Sequence, residues 1–157
     1  MIEREALMRL AIDKGRQGIA IGQSPFACAI ARDGDVLAVE HNVVLATTDI
    51  TAHAEINALR TACSLAGSIF LDGAMVATTC EPCPMCMAAL HWARVETVYY
   101  GAPMSDASAA GFNELAVPAE QVLRLGGSTV RLVPGVLTAE CRALFDAWQA
   151  QPGHRAY

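Results

Sequence analysis

A turn signal between two short apolar runs, followed by alternating helix and strand patterns, constrains the fold of this chain most strongly. The turn is Asp33-Gly34, between the apolar runs 26–31 and 36–41. Asp-Gly in this setting predicts an antiparallel hairpin, whereas strands joined through helices tend to pair in parallel. We therefore predict an α/β domain with one mixed five-stranded sheet and helices on both faces.

The remaining segments extend this pattern along the chain. Apolar residues at helical spacing predict helices, and short runs with β-branched and aromatic residues predict strands. The predicted helices cover 3–18, 52–66, 84–93, 119–125 and 138–150, and the predicted strands outside the hairpin cover 74–79, 95–100 and 128–133. The segment that leads to Pro118 is expected to be irregular. Because there is no internal repeat or linker, we expect residues 1–157 to form one domain.

Composition narrows the classes of function. Hydrophobic residues make up 54% of the chain and charged residues 17%, which excludes a disordered protein. No uninterrupted apolar run approaches the ~20 residues that span a bilayer, and the charged segment 1–5 is unlike a secretory signal peptide. We therefore expect a cytoplasmic protein with no membrane partner. A net charge of −5 and the lack of a basic run weigh against a nucleic-acid partner, because phosphate binding needs clustered cations.

The cysteines are unevenly distributed. Three of the six, Cys80, Cys83 and Cys86, fall within one short segment. A reducing cytosol argues against disulfides, and such crowding in a cytosolic protein is typical of a metal site. Cys80, like Cys28, Cys63 and Cys141 outside this segment, is expected to be a small buried apolar side chain.

Two predicted helix starts carry the residue types that zinc prefers, imidazole and thiolate. The sequence Thr-Ala-His-Ala-Glu occupies 51–55, and Pro-Cys-Pro-Met-Cys occupies 82–86. Pro84 suits the first helical position, which places Cys83 at the helix cap and Cys86 one turn inside. There the positive end of the helix dipole favours the deprotonated sulfur that a metal requires.

A catalytic zinc takes three protein ligands and leaves the fourth position for water. His53, Cys83 and Cys86 supply three ligands. The alternative is a structural zinc that recruits a fourth ligand such as Cys80 or His91.

Glu55 completes the chemistry. Two residues apart in a first helical turn, the side chains of His53 and Glu55 can both project past the helix end toward a shared site. A carboxylate beside the metal can accept a proton from water and pass it on. The combination of His-x-Glu with Pro-Cys-x-x-Cys is the signature of zinc-dependent deaminases.

Over nearly its whole length the chain resembles the cytidine deaminase-like superfamily. Within it, Trp-Ala-Arg at 92–94, Asp-Ala at 106–107, Gly-Phe at 111–112 and the final Tyr157 resemble bacterial guanine deaminases. The tRNA adenosine deaminases usually have Ser-Arg in place of Trp-Ala-Arg and a lysine-bearing segment after the next strand, whereas residues 102–115 contain no lysine or arginine. The resemblance implies a three-layer α/β/α fold, a homodimer and one zinc ion per subunit.

The resemblance also implies residue roles. His53, Cys83 and Cys86 match the zinc ligands, and Glu55 matches the proton shuttle. The resemblance further implies that five residues near this centre contact a nucleobase: Asn42, Glu114, Phe26, Trp92 and Tyr157. Glu114 is a glutamate where one branch has aspartate.

Several functions remain open at this point. The leading hypothesis is deamination of guanine to xanthine, with Glu114 accepting hydrogen bonds from ring N–H groups. Other candidates are deamination of isocytosine, cytosine or an ammeline-like triazine, and, less favoured, of adenosine in tRNA. A zinc-stabilised module without catalytic activity would have no need of Glu55.

Overall fold

Five strands and seven helices make up the computed structural model, which describes all of residues 1–157. The strands are β1 (Ala27–Arg32), β2 (Asp35–His41), β3 (Met75–Cys80), β4 (Thr97–Ala102) and β5 (Arg131–Val133). The helices are α1 (Arg4–Ala20), α2 (Val44–Thr47), α3 (Ala54–Ala66), α4 (Pro84–Trp92), α5 (Met104–Ala109), α6 (Ala119–Gly126) and α7 (Thr138–Gln149).

One mixed sheet contains all five strands in the order β2-β1-β3-β4-β5. β1 pairs antiparallel with β2 and with β3, while β3, β4 and β5 are parallel. The hairpin between β1 and β2 turns at Asp33 and Gly34, whose φ angles of 55° and 93° are both positive. Two positive φ angles are what a two-residue hairpin turn of matching twist needs, and Asp-Gly tolerates them. The predicted mixed sheet and hairpin are therefore confirmed.

Helices cover both faces of the sheet and create two separate cores. α1 and α7 pack on one face, and α3, α4 and α6 pack on the other. Because side chains alternate along a strand, Ala27 and Ala29 of β1 enter the first core, whereas Cys28 and Ile30 enter the second. These four side chains are fully buried, and the predicted α/β/α layering is confirmed.

Two helices and one strand differ from the sequence prediction. The short helices α2 and α5 were not expected, and β5 pairs over three residues rather than the six predicted at 128–133. Neither helix carries a long apolar repeat. Each begins at a backbone amide that donates its hydrogen bond to a side-chain oxygen: the Val44 amide donates to Asn42, and the Met104 amide donates to the distant Glu81. A contact 23 residues away cannot be read from local periodicity.

None of the helices has the combination of length and apolar character needed to cross a membrane. The N-terminal ends of α3 and α4 meet near the carboxyl end of β3, where Thr78 of β3 contacts Glu55 of α3. This meeting point holds the side chains that the sequence singled out.

Candidate metal centre and substrate pocket

Three potential metal ligands converge where α3 and α4 begin. His53 Nδ1 lies 3.6 Å from Cys83 Sγ and 3.5 Å from Cys86 Sγ, and all three ligand atoms lie within 4.8 Å of one another. A tetrahedral zinc with ordinary Zn–N and Zn–S bonds requires an N···S separation of about 3.6 Å. The cluster therefore fits zinc in both donor type and spacing.

Helix-start geometry explains why these side chains meet. His53 and Cys83 are the N-cap residues of α3 and α4, with extended backbones at ψ 158° and 167°, and Pro84 follows Cys83 at the start of α4. Neither N-cap side chain makes a capping hydrogen bond to its own helix. Both ligands are therefore free to point away from their helices toward the shared site.

The local environment favours a thiolate at Cys83. The neighbouring Cys86 thiol, followed by the His53 ring, lowers the pKa of Cys83 to about 4. The same pairing with Cys83, together with burial, raises the pKa of Cys86. The pairing therefore favours a thiolate at Cys83, and a bound cation would favour loss of the second proton from Cys86.

Neither residue considered as a fourth protein ligand joins the cluster. The Cys80 thiol faces the Pro103 carbonyl oxygen at 3.8 Å, and Nδ1 of the exposed His91 lies 2.7 Å from Ser128 Oγ. The single chain therefore assembles a three-ligand set, the number typical of catalytic zinc, rather than the four ligands of a structural site.

Glu55 lies beside the cluster and is buried, with 6% of its surface exposed. Its Oε1 accepts a hydrogen bond of 2.7 Å from Thr78 Oγ1. Burial, and then the charge of Cys83, raises the pKa of the Glu55 carboxyl. The raised pKa lies closer to neutral pH, and a group that both accepts and donates protons works best when its pKa is near the operating pH.

Asn42 and Tyr157 line the same inner cavity as His53 and Cys83. Asn42 is almost completely buried; its Oδ1 accepts a hydrogen bond from the Val44 amide, and its Nδ2 donates one of 2.6 Å to the Tyr157 phenol. Burial raises the pKa of Tyr157 to about 12. The phenol therefore keeps its proton at physiological pH, and its ring centre lies 6.3 Å from that of His53.

An open cleft of about 300 Å³ lies in front of the cluster, with a narrow inner cavity of about 30 Å³ behind it. Glu114 lines both, as do His53, Cys83 and Tyr157. Burial and the nearby Cys83 raise the pKa of Glu114. Phe26 lines the inner cavity and also packs against the first core.

Trp92 is the exception among the predicted site residues. It is 72% exposed and lies at the far end of α4 from Cys83, where it lines a separate surface groove with Ile69. The expectation that Trp92 lies near this chain's pocket is wrong. A nine-residue helix is about 13 Å long, so its two ends cannot reach the same small cavity.

The structure adds three residues that sequence reasoning missed. Thr78 binds Glu55, and Phe112 packs edge-on against both Phe26 and Tyr157 with ring centres 4.9 and 5.2 Å apart. The third is Glu81, which lines the inner cavity and binds two backbone amides. Gly-Phe at 111–112 was part of the family resemblance, but only as a branch marker.

Comparison with known proteins identifies the class. Residues 1–102 match the family model of the cytidine and deoxycytidylate deaminase zinc-binding region. The chain belongs to this family, as the sequence resemblance predicted, and its relatives define it as a deaminase-type hydrolase acting on C–N bonds.

Two branches of the family are similar to the chain. The guanine deaminase of Bacillus subtilis (strain 168) is 34% identical over 165 residues, covering 99% of this chain and 100% of that protein. The tRNA-specific adenosine deaminase of Agrobacterium fabrum (strain C58 / ATCC 33970) is 38% identical over 120 residues, covering 75% and 79%.

Solved structures extend the likeness to the fold. The structure of a guanine deaminase from Nitrosomonas europaea superposes with a TM-score of 0.87 at 29% identity, covering 96% of this chain and 87% of that one. The fold is thus the cytidine deaminase-like fold. Both branches share this fold, so the residues of the pocket determine the substrate.

Proposed function

We propose that this protein catalyses the zinc-dependent hydrolytic deamination of a free nucleobase, with guanine as the substrate, xanthine and ammonia being the products. The observation that carries the proposal is an acidic cleft: Glu114 and Glu55 border the cavities beside the His-Cys-Cys cluster. No lysine or arginine lines either cavity.

His53, Cys83 and Cys86 would hold one zinc ion per subunit. When bound, zinc supplies a Lewis acid that lowers the pKa of a coordinated water to about 7. The spacing of the three donor atoms, 3.5 and 3.6 Å from nitrogen to sulfur, supports this assignment.

Glu55 is the proposed proton shuttle. Its carboxylate accepts one proton from the water that attacks C2 of guanine and delivers it to a ring nitrogen. It then accepts the second proton, from the new hydroxyl group on C2, and delivers it to the departing amine. In the overall reaction, water and the amino-substituted ring give a ring carbonyl and ammonia. The Thr78 hydroxyl holds one carboxylate oxygen at 2.7 Å, which leaves the other oxygen of Glu55 available for this transfer.

Glu114 is the proposed determinant of base recognition. A carboxylate accepts hydrogen bonds only, so it matches ring and amino N–H groups of guanine, which adenine does not present in the same pattern. Glu114 is half-buried, and a ring that covers this acceptor without pairing with it is penalised strongly. Phe112 and Tyr157 supply aromatic walls for the flat base, and the buried Asn42 amide supplies a further polar contact.

Charge favours a free base over a nucleic acid. Phosphate groups near the cleft would meet Glu114 and no compensating cation, and nucleic-acid binding depends on phosphate neutralisation. Isocytosine and ammeline-like triazines share with guanine an amino group beside ring nitrogens, so they are alternative substrates of the same pocket.

We further propose that the protein is a homodimer in which the groove beside Trp92 contacts a second copy. Trp92 and Ile69, 72% exposed each, border this mostly apolar groove with Ala89, and burial of large apolar side chains is the main driving force of association. Light scattering should report a dimer for the wild type and a monomer for Trp92→Arg.

Ammonia release tests the proposed reaction directly. The wild-type protein should release ammonia from guanine faster than from cytosine, isocytosine, adenine or their nucleosides. A tRNA carrying adenosine in the anticodon loop completes the panel. Deamination of that tRNA with no activity on any free base would overturn both the pocket assignment and the choice of branch.

A further inference from the structure

We infer that Glu81 is a positioning residue for the substrate wall, acting through the segment that carries Glu114. Its two carboxylate oxygens bind two different helices: Oε2 accepts the Met104 amide at 2.9 Å, and Oε1 accepts the Ala119 amide at 3.0 Å. Met104 and Ala119 are the first residues of α5 and α6.

One side chain therefore ties down both ends of the stretch 104–119. First-turn amides of a helix have no partner within the helix, and neither Pro103 nor Pro118, the two N-cap residues, has a side chain that could bind them. A carboxylate also complements the positive end of each helix dipole. Glu81 thus supplies to both helices the cap that their own sequences lack.

The segment between these helices depends on such anchoring. Residues 110–118 form neither helix nor strand, and Glu114 lies in their middle. Within the segment, Phe112 is buried and the Asn113 amide donates to the Tyr157 carbonyl oxygen at 2.8 Å. Since the Glu114 side chain makes no direct hydrogen bond to the protein, its position depends on the backbone of the segment that carries it.

The hydrogen bonds of Glu81 also argue against a direct role in proton transfer. It lines the inner cavity, but both oxygens already accept backbone amides. Its own amide donates to the Ala102 carbonyl oxygen at 2.8 Å, which joins the end of β3 to the end of β4. A group with these bonds is suited to hold a wall in place rather than to move protons.

This inference rests on the proposed function for its link to substrate, because it assumes that Glu114 contacts the base. The variant Glu81→Gln tests it with little change in shape. An amide has one oxygen and one NH₂ group, so one of the two helix amides would face a donor and lose its bond. Glu120→Gln is the matched control, since it removes the same charge from the first turn of α6 at an exposed position.

Two measurements decide the question. The first is backbone hydrogen exchange at Met104, Ala119 and across 110–118; Glu81→Gln should increase exchange there, and Glu120→Gln should not. The second is steady-state kinetics on guanine with zinc analysis. Glu81→Gln should raise KM about tenfold or more, with a smaller change in kcat and unchanged zinc, because a small displacement of a binding group is costly.

A double-mutant comparison distinguishes positioning from loss of stability. If Glu81 acts through Glu114, Glu81→Gln should change KM little in a Glu114→Ala background, since interacting residues are non-additive. Equal KM effects in both backgrounds, unchanged exchange at Met104 and Ala119, or loss of zinc would overturn the inference. If no free base is deaminated, the proposed function fails, and the exchange measurement alone decides whether Glu81 holds this segment.

Discussion

One wall of the pocket consists of His53, Glu55, Cys83 and Cys86, which lie at the N-caps and in the first turns of α3 and α4, and these helices pack on the central sheet. A second wall consists of Asn42, Glu114 and Tyr157, which lie outside every helix and strand. The first wall carries the groups proposed for chemistry, and the second carries the groups proposed for recognition of the base.

This difference has a physical basis. Zinc ligands must be held to within a fraction of an ångström, and residues on regular elements are positioned more accurately than residues on loops. Recognition residues on irregular segments can change with little effect on the core. We therefore expect changes on the metal side to affect zinc content or kcat, and changes on the opposite side to affect KM and substrate choice.

The largest expected effect is loss of the metal. Cys83→Ala and Cys86→Ala should each lose bound zinc and all measurable deamination, because two protein ligands do not hold the ion. Cys80→Ala should keep zinc, since its thiol faces the Pro103 carbonyl instead of the cluster. Metal analysis of the three purified variants checks this; zinc loss in Cys80→Ala with retention in Cys86→Ala would reverse the ligand assignment.

The second effect separates chemistry from metal binding on the same wall. Glu55→Gln keeps the shape and the contact from Thr78 but cannot accept a proton, so kcat should fall about 10²–10⁴-fold. Zinc content and thermal stability should stay near wild-type values. Turnover close to that of the wild type would remove Glu55 from the proposed mechanism.

The third effect belongs to the recognition wall. Glu114→Gln replaces one acceptor oxygen by a donor, and a polar group left unpaired once the base covers it costs about 1–3 kcal/mol, which corresponds to about a 5- to 150-fold loss of kcat/KM on guanine. Most of the loss should be in KM, with zinc unchanged. A fall confined to kcat would contradict the proposal that one wall serves the chemistry and the other serves recognition of the base.

The smallest effect concerns the hydroxyl of Tyr157. Tyr157→Phe keeps the ring beside Phe112 but removes the bond from Asn42, and one hydrogen bond is worth about 0.5–1.5 kcal/mol, or about a 2- to 13-fold rise in KM. Tyr157→Ala, which also removes the aromatic wall, should have a larger effect. Kinetics of the two variants side by side separate the hydroxyl from the ring.

The pKa of Tyr157 gives this comparison a pH dependence. Burial raises its pKa to about 12, above the ordinary value of about 10. The stabilisation from the protonated phenol is therefore fully present below about pH 10 and is lost as the pH rises through about 12. The activity ratio of wild type to Tyr157→Phe should stay constant from about pH 6 to about pH 9; a ratio that changes in this range would contradict the assignment.

The sequence by itself determined most of the fold and the metal side of the pocket. Asp33-Gly34 predicted the hairpin, and periodic apolar patterns predicted the long helices, because both signals act over a few residues. The meeting of His53 with Cys83 and Cys86 could be expected because zinc chemistry restricts the donor types and helix starts restrict their placement.

Only the tertiary structure decided which distant residues border and support the pocket. Trp92 lies away from the pocket because α4 carries it there, and Thr78 reaches Glu55 because β3 passes beside α3. The bonds of Glu81 span 23 and 38 residues. Such contacts depend on how the strands are ordered in the sheet, and a local pattern carries no information about that order.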